Sequence, residues 1–178
     1  MKKKYFVVMS ILALLCVGCG KINNNLPISE NIATATDVDV SSLEGYDNLN
    51  NVYFCPGEYI FNCDNQGTYV YFSKGQKESI SICVKSNDGM TKNEMESLYK
   101  NDLSDFYGKN FGLDYMMVDD REWTIFKYSA GINSNKDTLV YGYLYSDGTT
   151  TVYIENQVDR QYGFSGKVND VISSIIIK

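Results

Sequence analysis

Histidine is absent from these 178 residues. That removes Ser-His-Asp and Cys-His catalysis, imidazole zinc sites and histidine pH switching together. Positive charge is also scarce: 16 Lys and Arg stand against 22 Asp and Glu, a formal charge of −6. A chain this acidic lacks the basic footprint that nucleic-acid binding requires, so no nucleic-acid partner is expected. Long apolar runs are missing too. The longest, Tyr5 to Val17 with Ser10 as its one polar side chain, falls short of the about 20 residues that a membrane-spanning helix needs. Cys55, Cys63 and Cys83 contain no C-x-x-C spacing, and with no His beside them they offer no framework for zinc. No metal or cofactor is expected.

What is present begins at the N-terminus. Lys2, Lys3 and Lys4 precede the apolar run, and Leu15-Cys16-Val17-Gly18-Cys19 closes it. A positive segment, a short apolar core and a small residue at the cut make a secretory signal. The closing residues resemble the bacterial lipobox, with Cys16 standing where Leu is usual. Gly18 supplies the small side chain before the cleaved bond, whereas Leu15 beside Cys16 makes Cys16 a poor acceptor. The resemblance implies that residues 1–18 are a lipoprotein signal peptide and that Cys19 receives a diacylglyceryl group and becomes the mature N-terminus. The protein would then sit on the extracytoplasmic side of the cell membrane, held through the lipid at Cys19. Each buried methylene contributes ~0.8 kcal/mol, and two acyl chains anchor durably where one is marginal. An ordinary secretory signal with a chance Cys, or an uncleaved anchor, is the alternative. Loss of Lys2, Lys3 and Lys4 leaves 13 basic against 22 acidic side chains, a formal charge of −9. Anionic lipid repels such a domain, so the acyl chains and not the protein face would hold it at the surface.

Residues 19–51 are rich in Asn, Ser, Thr and Asp without sustained apolar periodicity, and read as a flexible tether. From Val52 the character changes, and residues 52–178 read as one domain. Glu58 to Cys63 and Thr68 to Phe72 are strand-like around Asp64-Asn65-Gln66-Gly67. In Ser79 to Lys85, Ile80, Ile82 and Val84 share one face and Ser79, Ser81 and Cys83 the other. Thr91-Lys92-Asn93-Glu94 is a capping box, opening a helix to about Tyr107 with Met95, Leu98, Tyr99, Leu103 and Phe106 on one stripe that Asp102 interrupts. Tyr115 to Val118 and Trp123 to Tyr128 are strand-like, turned by Asp119-Asp120-Arg121-Glu122. Thr138 to Tyr145 and Thr149 to Asn156 form a hairpin about Ser146-Asp147-Gly148. Phe164, Val168, Val171, Ile172 and Ile175 fall on one face of a terminal helix, and Ile175-Ile176-Ile177 could finish instead as a short strand.

This order predicts an α+β domain: an antiparallel sheet of about six to seven strands, one helix after the third strand, one C-terminal helix, and the helices covering the sheet faces. From Phe54 to Ile177 it resembles the PsbP-like family, which includes the photosystem II extrinsic subunit, a nuclear-transport cofactor and many DcrB-like bacterial lipoproteins. The strand at Ser79 to Lys85 leading into the capped helix, the strand containing Trp123, the Tyr141-to-Tyr153 hairpin and the closing Val171-Ile172-Ser173-Ser174-Ile175 carry the resemblance. The Pro-x-x-Trp usual after the family's first strand is absent. The resemblance implies an accessory or binding role and no catalytic site.

Three clusters remain to be weighed. Cys55 and Cys63 either form the one disulfide that three thiols permit or stay reduced with Cys83 as small apolar side chains. Asp119, Asp120 and Glu122 could bind calcium or hydrolyse a substrate, yet adjacent acids at a reversal are also what a solvated turn looks like. Trp123, Tyr141, Tyr143 and Tyr145 could stack on a ligand if their face is open, or pack across strands beneath a helix. The expectation is a non-enzyme: a lipid-anchored accessory module binding an extracytoplasmic protein. The alternatives are a glycan- or cell-wall-binding module using the Tyr and Trp faces, and a carboxylate-based hydrolase.

Overall fold

The computed structural model describes residues 43–107, 111–131 and 137–178. The expected signal peptide, Cys16, Cys19 and most of the expected tether lie outside the described residues. The main sheet has seven antiparallel strands: β3 (Ile60–Asp64), β4 (Thr68–Phe72), β5 (Glu78–Ser86), β6 (Phe111–Val118), β7 (Arg121–Gly131), β8 (Asp137–Ser146) and β9 (Thr150–Asp159). Their order in space is β3-β4-β5-β9-β8-β7-β6, so β3 and β6 are the edges. A small sheet is built from β1 (Asp47–Leu49), β2 (Val52–Phe54) and β10 (Ile176–Ile177), in the order β1-β2-β10. Helix α1 (Lys92–Tyr107) follows β5, and α2 (Lys167–Ser173) precedes β10.

Strand alternation sends every second side chain to each face, and both faces are covered. On one side Met95, Tyr99 and Leu103 of α1 pack on Phe126, Tyr128, Val140, Leu144 and Tyr153. On the other, Ile80, Ile82, Val84, Trp123, Tyr143, Val152 and Ile154 meet the small sheet and Val168, Val171, Ile172 and Ile175. This is why the central strands are apolar on both faces. The helix expected after the third strand follows the third strand of the main sheet, which is the fifth of the chain.

Three expectations are corrected. The folded part begins before position 52: β1 pairs with β2 across Asn50 and Asn51, whose φ of 49° and 63° make a hairpin turn. Leu49 is buried, and the Tyr71 hydroxyl donates to Asp47 at 2.6 Å, so this stretch is tied to the core. Second, α1 buries the narrower stripe Met95, Tyr99 and Leu103, while Phe106 is exposed. Third, Phe164 lies outside the terminal helix, because Gly166 in the left-handed region is its N-cap; Ile176 and Ile177 finish as a strand on β2. The capping box forms as read: the Thr91 N–H donates to Glu94 Oε2 at 2.9 Å and the Glu94 N–H to Thr91 Oγ1 at 3.4 Å.

Candidate functional site

The aromatic candidates are placed by strand parity. Trp123, Tyr141, Tyr143 and Tyr145 all point to the small-sheet side, where Trp123 is 0% and Tyr143 3% exposed. Tyr145 is half-buried at the rim, its ring 5.4 Å from that of Trp123 at 38°. Tyr141 is half-buried against Phe164, at 5.1 Å and 46°. The rings are brought together as core and rim. They do not form an open, coplanar platform, because the small sheet and α2 occupy that face.

The acidic cluster is a turn. Asp119 and Asp120 take φ of 48° and 62°, the paired left-handed conformation of a two-residue hairpin, so Arg121 and Glu122 already belong to β7. Asp119 is 3.8 Å from Arg121, and Glu122 pairs with Lys92 of α1. All three acids face solvent, and none faces another across a cleft. Among the described residues no group of three or more His, Cys, Asp or Glu could hold a metal. Cys55, Cys63 and Cys83 are free, so the Cys55–Cys63 disulfide is not formed. The Cys63 sulfur accepts from Asn62 at 3.2 Å instead.

Three of the large apolar side chains that do face solvent lie elsewhere, in a row on edge strand β6. Its register with β7 runs unbroken from Phe111↔Tyr128 to Val118↔Arg121. Met116 and Val118 turn inward toward Trp123's side. Leu113, Tyr115 and Met117 share the opposite, α1-side face and are 40%, 51% and 63% exposed. Helix α1 meets this row at Tyr115: its Glu96 accepts from the Thr124 hydroxyl at 3.1 Å and from the Tyr115 hydroxyl at 3.4 Å. Asp114, on the inward-turned face, is paired with Lys127 at 2.8 Å, and that ammonium holds its carboxyl below the usual range. The sequence reading took only Tyr115 to Val118 as strand. The missed signal is the alternation Leu113, Tyr115, Met117 beside Asp114.

The second edge differs. Ile60 and Phe61 of β3 are exposed, but Phe61 lies edge-on to Tyr69 at 5.7 Å and Tyr71 at 5.5 Å. The β3 register also shifts between Phe61 and Cys63. Among the described residues no helix is long and apolar enough to cross a membrane.

No family model and no curated protein matches the chain. Among solved structures, a crystal structure from Bacteroides thetaiotaomicron aligns with a TM-score of 0.59 at 10% identity, covering 76% of this chain and 49% of that one. This chain therefore spans about half the length of that protein, and at such identity the likeness shows the fold alone. A solution structure of cyanobacterial PsbP from Synechocystis sp. PCC 6803 aligns at 12% identity over 80% of this chain and 98% of that one. Its TM-score of 0.49 carries no weight for family or function.

Proposed function

We propose that this protein is a lipid-anchored, extracytoplasmic accessory module of PsbP-like type that binds another protein through the β6 edge and catalyses no reaction. The observation that carries the reading is the exposed row Leu113, Tyr115 and Met117 on an edge strand whose register is unbroken. An edge strand offers backbone hydrogen bonds to an incoming segment, while alternate side chains select it. Burying those three side chains supplies apolar stabilisation at roughly 25 cal/mol per Å². Two observations favour this reading over the others. Glycan stacking needs open, parallel rings, and Trp123 and Tyr143 are buried. Carboxylate hydrolysis needs two acids facing each other about 5–10 Å apart, and Asp119, Asp120 and Glu122 are engaged in a turn or an ion pair.

Attachment to the membrane rests on Lys2 to Cys19. The mass of the native N-terminal peptide tests it: a diacylglyceryl group on Cys19 with residues 1–18 removed is expected, and an intact leader or a bare Cys19 contradicts it. Binding is tested by capture from intact cells with the wild-type protein and Tyr115→Lys. The substitution is expected to reduce recovered partner by about tenfold or more, a loss of about 1.4 kcal/mol, with the thermal midpoint unchanged. Equal recovery overturns the β6 assignment.

A further inference from the structure

Exposed sheet edges template pairing with other chains, and proteins blunt them with bulges, Pro, Lys or short length. β3 is five residues long and carries a register shift. β6 has eight residues, an unbroken register, no Pro and no Lys. Its one charged side chain, Asp114, forms an exposed ion pair with Lys127. Among the described residues β6 pairs with β7 and nothing else. Of the two edges, β3 carries such a device and β6 carries none.

We propose that the occupant of this edge is a second copy of the chain, whose β6 pairs antiparallel to the first about a two-fold axis at Tyr115, joining the two main sheets into one. The proposal rests on β6 being the binding edge and names what fills it. A two-fold interface requires a surface complementary to itself. About Tyr115 the strand has that property. Leu113 falls opposite Met117 of the second copy, Tyr115 opposite its own counterpart, and Asp114 opposite Met116 of the second copy. The exposed apolar row thereby covers itself, and no like charges meet. A slip that centres the axis on Asp114 would set two carboxylates directly opposite, an arrangement that destabilises a strand pair. Charge therefore selects the register that apolar matching favours. The flanking acids do not contest it: Glu96 is engaged by Thr124 and Tyr115, and Glu122 by Lys92.

Oxidation of single-cysteine additions on intact cells tests the axis. Tyr115→Cys in the full chain is expected to give a band of twice the chain mass on a non-reducing gel, at least tenfold above wild type. Asp114→Cys is expected to stay at the wild-type level, and Asp114→Cys with Met116→Cys to restore the band. Equal bands from the two single variants, or none from Tyr115→Cys with an unchanged thermal midpoint, overturn self-pairing. In the latter case a photoreactive side chain at Met117 separates the two claims. Adducts with a different protein leave β6 as the binding edge with another occupant, and no adduct at all sinks the binding edge as well.

Discussion

At the scale of single residues, two positions make sharp demands that composition does not advertise. A Cβ at Gly142 would lie 2.5 Å from the Tyr153 hydroxyl oxygen and 2.9 Å from its ring. The Tyr153 ring cannot retreat, because Tyr99 of α1 stacks on it at 4.7 Å. Gly142→Ala is therefore expected to cost about 1–3 kcal/mol by overpacking, read from a denaturant titration; a neutral result would mean that the ring has room to move. Asp102 interrupts the apolar stripe of α1, and burial raises its carboxyl pKa, with Lys85 opposing and Asp105 adding to the shift. Its Oδ2 is buried without a hydrogen-bond partner. A raised pKa means the folded chain holds the proton more tightly than the unfolded chain. Stability from this group accordingly falls as pH rises from the ordinary carboxylate range through the raised value, and the penalty persists above it. Asp102→Asn is expected to raise the thermal midpoint at neutral pH and to lose that advantage near pH ~3, below the ordinary carboxylate pKa. An equal gain at both pH values would assign the effect to packing.

At the scale of elements, local chemistry was legible where the chain speaks for itself and illegible where a distant partner decides. The Thr91–Glu94 box, the Ile80-Ile82-Val84 alternation and the Asp147-Gly148 turn could be read because each is set by neighbours in sequence. Asn50-Asn51 read as tether because Asn is common in flexible segments. It is a turn because β10, from the far end of the chain, completes the small sheet on β2. Phe164 matched the helical spacing of α2, but Gly166 starts the helix later and Phe164 meets Tyr141. The junction of α2 with β2 depends on Ser174, whose Oγ accepts from the Cys55 N–H at 2.8 Å and donates to the Val171 carbonyl at 2.7 Å. Arg121 adds a second tie, donating to the Ile175 carbonyl at 2.7 Å. Ser174→Ala is expected to cost about 1 kcal/mol and to speed hydrogen exchange at the Cys55 amide selectively. Unchanged exchange there would remove the hydroxyl from the account.

At the scale of the whole molecule, the α+β class and the seven-stranded sheet followed from alternation and turn residues, because those report local backbone state. Which faces are open did not follow, since a strand apolar on both faces reads the same whether its cover is a helix or a second sheet. Trp123, Tyr141, Tyr143 and Tyr145 drew attention as aromatic side chains and proved to lie beneath or beside the small sheet. Leu113, Tyr115 and Met117 drew none, because position at an edge is a property of sheet order and not of composition. The claim on which the functional reading stands is that β6, and not β3, meets another polypeptide. Photo-crosslinking on intact cells from Met117 of β6, compared with Ile60 of β3, tests it most directly. Both side chains are exposed to a similar degree, 63% and 53%, so accessibility does not bias the comparison. The account predicts discrete protein adducts from position 117 and none from position 60; adducts from position 60 alone, or from neither, would contradict it.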